Sequence, residues 1–102
     1  MEYTGVIQTL IETYHPLKIY LYGSRAWGNP QADSDVDIFI LLTSSDIDQA
    51  DRIRLGARAL IGSGIDVDLL VLTEAEIMEN KSHPSTLVYK ILEKGIKIYE
   101  AA

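Results

Sequence analysis

The sequence predicts an α/β fold of the α+β kind, a small mixed β-sheet with helices packed on it. Apolar runs of strand length occur at Leu17 to Tyr22, Val36 to Thr43 and Ile65 to Leu72, rich in the β-branched and aromatic residues that suit a pleated surface. Helical periodicity precedes the first run, separates the second from the third, and follows the third. A strand, a crossover helix and a second strand are normally parallel neighbours with a right-handed connection. The second and third runs should therefore pair in parallel.

Each element has its own justification. Between Glu2 and Tyr14, the residues Val6, Ile7, Leu10, Ile11 and Tyr14 recur at helical spacing, which predicts an amphipathic helix ending before Pro16. His15, beside that proline, reads as a loop residue without a role. Leu17 to Tyr22 is the first strand and Gly23 its turn. Val36 to Thr43 is apolar on both faces beyond Asp37, as a central strand covered on two sides requires. Thr43-Ser44-Ser45-Asp46 reads as a loop and helix cap, after which Ile53, Ala57, Leu60 and Ile61 mark a helix stopped by Gly62-Ser63-Gly64. Arg52, Arg54 and Arg58 lie on this helix, and Asp48 with Arg52 makes an i, i+4 pair of the kind found on a solvated face. Thr73 with Glu76 is a capping-box pattern opening a short helix. Leu87, Val88, Ile91 and Leu92 form another helical face, preceded by Ser82-His83-Pro84-Ser85 and stopped by Gly95, and Lys97-Ile98-Tyr99 adds a short edge strand. His83 reads as loop.

The chemistry concentrates between the first two strands. Gly23 permits backbone angles closed to other residues and lets a ligand approach the main chain. Ser24 offers a hydroxyl, and a helical turn opening there would present unpaired N–H groups to an anion such as a triphosphate. Asp35 and Asp37, two apart at the mouth of a strand, leave the same face and can share one hard cation. Such carboxylates do not stay ionised without a cation or a basic partner. If the first strand runs antiparallel to the second, Gly23-Ser24, Asp35 with Asp37, and Asp66 with Asp68 all reach one edge of the sheet. Asp66 and Asp68 share a face, so spacing leaves open which of them belongs with the other pair.

Gly23-Ser24, ten intervening residues and then Asp35-x-Asp37 resembles the signature of the minimal nucleotidyltransferases, small members of the DNA polymerase β-like superfamily. The wording Gly-Ser-Arg-Ala-Trp-Gly and Ser-Asp-Val-Asp is similar to that group's, and the segment from Leu87 to Glu100 extends the resemblance over nearly the whole chain. The resemblance implies a polymerase β-like fold and transfer of a nucleoside monophosphate, AMP from ATP, to a hydroxyl. It assigns Asp35, Asp37 and Asp68 as catalytic residues binding two Mg²⁺ ions, with Mn²⁺ as a substitute, and Gly23, Ser24 and Arg25 as nucleotide-binding residues. It selects Asp68 because the family's third acid directly precedes the apolar run, leaving Asp66 at the rim. Trp27 stands where many relatives carry a basic residue, which removes a phosphate contact there; the ring either stacks on a base or fills the core. The implied partner is a HEPN-type toxin, modified on a tyrosine, which makes this chain an antitoxin. The alternatives are a non-catalytic module that neutralises such a partner and a nucleotidyltransferase acting on an antibiotic, the latter needing an acceptor pocket built by a homo-oligomer or a partner.

Composition bounds these expectations. A chain of 102 residues with a net charge of −6 is expected to form one domain from residue 1 to 102. That charge argues against a surface built for nucleic-acid phosphates. Without cysteine there is no disulfide framework, thiol nucleophile or thiolate metal site. No apolar stretch is long enough to span a membrane, so a soluble, cytoplasmic protein is expected.

Overall fold

The computed structural model describes residues 3–28, 35–79 and 86–102. The expected helix start at Glu2, the stretch from Asn29 to Ser34, and His83 with its neighbours Ser82 to Ser85 lie outside them. The chain runs α1 (Thr4–Tyr14), β1 (Lys18–Tyr22), α2 (Ser24–Trp27), β2 (Val36–Leu42), α3 (Gln49–Ala59), β3 (Val67–Thr73), α4 (Glu74–Met78), α5 (Leu87–Lys94) and β4 (Ile96–Glu100). The sheet order is β3-β2-β1-β4. β1 pairs antiparallel with β2 and with β4, and β2 pairs parallel with β3, so the sheet is mixed, as expected.

Strand alternation divides the core in two. Ile19, Leu21, Val36, Ile38, Ile40, Leu42, Leu69 and Val71 face one side, where α1 and α3 cover them with Val6, Ile7, Leu10 and Leu60. Tyr20, Tyr22, Phe39, Leu41 and Leu72 face the other, covered by Ile77 of α4 and Val88 and Ile91 of α5. Phe39, Ile38, Ile40, Ile19 and Val71 are fully buried, so β2 is central with both faces covered.

Helix ends follow local chemistry. α1 stops at His15, which takes a left-handed conformation (φ 47°, ψ 55°) and donates its N–H to Ile11 O at 2.8 Å; Pro16 cannot continue the helix. The capping box at Thr73 and Glu76 forms as expected. Thr86, just beyond the polar stretch Ser82 to Ser85, caps α5 by accepting from Tyr89 N at 3.1 Å.

Two expectations on α3 are corrected. Its cap is Asp48, whose side chain accepts from Asp51 N at 2.9 Å, rather than Asp46. Arg52 is not on a solvated face: it is 6% exposed. It donates to Ile47 O at 3.0 Å, to Val71 O on the edge strand at 3.1 Å, and to Glu76 at 2.7 Å and 3.3 Å. An arginine fork meets a carboxylate bidentately, so this side chain reaches past β3 and ties α3 to α4. It also occupies a carbonyl on a strand that would otherwise offer an open edge. Gly56 lets α1 approach α3, because a Cβ there would collide with Tyr14 Oη and lie 2.6 Å from Leu69 Cδ1.

The Arg52 contacts hold the Glu76 carboxyl below its ordinary value of 4.5, with the Thr73 backbone N–H adding to the effect. A depressed carboxyl contributes stability that is present above 4.5 and lost as pH falls through the lowered value. Glu76→Gln keeps the capping geometry but removes the charge. Because the Glu76 side chain is 39% exposed, solvent screens the pair, and the expected loss at pH 7 is about 1 kcal/mol. Urea unfolding from pH 7 down to pH 3 should show wild type and variant converging on the acid side. Gly56→Ala should cost about 1–3 kcal/mol in the same assay.

Candidate active site

β1 ends in a turn that only glycine fits. Gly23 has φ 73° and ψ −148°, and a Cβ on it would run into Asp37 Oδ2. The main chain at Gly23 therefore lies directly against the Asp37 carboxylate. From there the chain enters α2, with Ala26 N and Trp27 N donating to Gly23 O at 3.0 Å and Gly28 N to Ser24 O at 3.1 Å. Ser24 is thus the first residue of a helical turn, whose leading N–H groups have no acceptor within the turn itself.

The register of the sheet lines up the acids. Tyr22 pairs with Asp37 on β2, and Asp37 pairs with Asp68 on β3. The three side chains therefore stand side by side across three strands, on the face that carries Phe39 and Leu72. Asp35 immediately precedes β2 and is exposed, as is Asp68, while Asp37 is half-buried. Asp66 precedes β3, and its carbonyl accepts from Val36 N at 2.9 Å.

The electrostatics of this row are adverse. Burial raises the Asp37 carboxyl above its ordinary range, Asp68 and then Asp35 raise it further, and Arg25 opposes them. Burial, followed by Asp37 and Asp68, pushes the Tyr22 hydroxyl up to about 12. A donor set of hard carboxylate oxygens that repel one another is the chemistry a divalent cation such as Mg²⁺ neutralises, so the residues fit such an ion. Among the described residues, no three carboxylate or imidazole groups converge closely enough to form a ready-made metal cage.

Of the residues singled out from the sequence, the structure brings Gly23, Asp35, Asp37 and Asp68 to one edge, with Ser24 opening the turn beside them. Arg25 lies within electrostatic reach of Asp37, but its Nη1 donates to Tyr3 Oη at 3.0 Å and its guanidinium sits 5.9 Å from the Tyr3 ring centre. Trp27 is half-buried against the second core, 6.3 Å from the Tyr22 ring and 4.6 Å below Lys90 Nζ. Sequence reasoning missed Tyr22 and Lys90. Tyr22 read as strand filling, and its place beside Asp37 follows only once the antiparallel offset is known. Lys90 falls on the polar side of a helix, and nothing in its spacing separates it from other surface lysines.

The sequence matches the family described as Polymerase beta, Nucleotidyltransferase over residues 5–102. A comparison with curated proteins finds no match. Among solved structures, a candidate nucleotidyltransferase from Sulfolobus solfataricus superposes with a TM-score of 0.66 at 22% identity, covering 97% of this chain and 78% of that one. A toxin–antitoxin structure with AMP-PNP gives 0.69 at 21% identity, covering 99% and 75%. A mutant of the toxin–antitoxin MntA–HpeT gives 0.68 at 22%, covering 99% and 74%. At these identities the superpositions establish a shared fold. With the match spanning almost the whole sequence, the chain belongs to the polymerase beta nucleotidyltransferase family.

Proposed function

We propose that this chain is a protein adenylyltransferase that transfers AMP from ATP to a tyrosine hydroxyl of a HEPN-type toxin partner, and so acts as the antitoxin. The observation that carries this reading is the row of Tyr22, Asp37 and Asp68 with the Gly23 backbone pressed against Asp37. Family membership supports the reaction type. The fold shared with chains from toxin–antitoxin structures, one of them with AMP-PNP, supports the setting.

In this reading Gly23 and Ser24 hold the triphosphate, with the glycine allowing close approach and the serine giving its hydroxyl and N–H. Arg25 adds positive charge near Asp37. Asp35, Asp37 and Asp68 would hold two Mg²⁺ ions, which when bound supply charge stabilisation at the phosphates and acidify the acceptor hydroxyl. The acceptor oxygen attacks the α-phosphorus, the bond to the bridging oxygen breaks, and pyrophosphate leaves. The hydroxyl proton passes to Asp68. Tyr22, kept protonated, stands against Asp37 as a neutral neighbour and adds no further negative charge.

Calorimetric titration of ATP with Mg²⁺ into wild type should show binding that disappears in the double variant Asp35→Ala, Asp37→Ala. Transfer of labelled AMP to the partner should fall by about 100-fold or more in that variant. If the variant still neutralises the partner, the chain is a stoichiometric binding module; if wild type labels an antibiotic instead, the acceptor is a small molecule.

Gly23→Ala should lower transfer by about 100-fold, because the methyl group displaces the Asp37 carboxylate from the nucleotide turn. Single-turnover labelling checks this, with circular dichroism to show that the fold persists.

A further inference from the structure

The acid row creates a need that the glycine turn does not meet by itself. Asp35, Asp37 and Asp68 concentrate negative charge at one edge of a chain whose net charge is −6, and a triphosphate adds several more negative charges. Most of the cations described are committed elsewhere. Arg52 is buried against Glu76, Arg54 pairs with Asp51, Lys97 and Lys18 both approach Glu100, and Arg25 is turned toward Tyr3.

Lys90 differs from these. It is exposed on α5, and its ammonium stands 4.6 Å over the Trp27 ring rather than on a carboxylate. Trp27 ends the helical turn that Ser24 begins, and its ring lies 6.3 Å from Tyr22, the register partner of Asp37. An aromatic relay thus places Lys90 on the same face as the acid row, displaced toward α2. An exposed cation over a ring is held weakly, and a flexible four-carbon stem lets the ammonium leave it for a stronger anion.

We propose that Lys90 is a positioning residue that binds the β- and γ-phosphates of the nucleotide, with Trp27 as its resting place when no phosphate is present. This rests on the reading of the sheet edge as a nucleoside triphosphate site. An α-phosphate held at Asp37 directs the remaining phosphates away from the acid row, and Lys90 supplies positive charge there. The step it serves is binding, so its loss raises KM for ATP more than it lowers kcat.

The test is calorimetric titration of wild type, Lys90→Met and Lys90→Arg with a nonhydrolysable ATP analogue and with AMP, each with Mg²⁺. Lys90→Met keeps an apolar stem over Trp27 and removes only the charge. The expected result is a loss of roughly 10-fold in affinity for the triphosphate in Lys90→Met, little change for AMP, and recovery in Lys90→Arg. Equal loss for both nucleotides, or a loss that arginine does not restore, would mean that Lys90 only packs on Trp27 and would overturn the proposal. Unchanged triphosphate affinity in Lys90→Met would overturn it too, while leaving the nucleotide site intact. Wild type that binds neither nucleotide would remove the site reading itself, and the role of Lys90 with it.

Discussion

The constraint on which this molecule turns is the contact between the Gly23 main chain and the Asp37 carboxylate. It fixes the conformation of the turn, since no side chain fits at position 23, and it half-buries an acid that already has Asp35 and Asp68 as neighbours. Such an arrangement opposes folding: desolvation and like charge both disfavour the ionised carboxylate. A sequence optimised only for stability would not place an acid there. Local conflict of this kind, set in an otherwise consistent fold, is the expected mark of a functional site.

The strain is tolerable because of what lies on the other side of the same strand. Val36, Ile38 and Ile40 alternate with Asp37 and Phe39 along β2, and their face is closed by α1 and α3. Gly56 brings those helices together at Tyr14, and Arg52 carries the attachment past β3 to α4. One face therefore carries most of the apolar packing. The other shares its aromatic core, Tyr20 against Phe39 and Tyr22 against Trp27, with the acid row. Changes in that second core should be felt at the candidate site, whereas equal changes under α1 should register mainly as stability.

Much of this was legible in the sequence because strands and helices announce themselves by period. The runs at Leu17, Val36 and Ile65, the stop at Gly62 and the capping box at Thr73 depend on near neighbours. Placing Gly23, Asp37 and Asp68 at one edge needed only the direction of three strands. What escaped depended on contacts distant in sequence. Arg52 sits four residues after Asp48, an ordinary surface pair by spacing, and its burial comes from Val71 and Glu76, nineteen and twenty-four residues away. The cap of α3 falls at Asp48 rather than at Asp46, two residues beyond the loop that the polar run Thr43 to Asp46 marks. Tyr22 looked like any strand aromatic because its identity as the neighbour of Asp37 depends on a pairing offset that no local pattern encodes.

The same distinction explains why the acids were easier to find than their counter-charges. A carboxylate pair at i and i+2 on a strand is a local and unusual pattern, because strand mouths rarely carry two unpaired acids. Cations have long flexible stems and reach their partners from any element, so sequence position says little about where their charge ends up. Arg25, adjacent to the motif, turns toward α1 and Tyr3, while Lys90, more than fifty residues from the acids at Asp35 and Asp37, comes to rest on the motif's own tryptophan. In a chain with fifteen acidic and nine basic residues, the placement of those few cations decides where another anion can bind. That placement is a property of the packed helices α2 and α5 rather than of the motif alone.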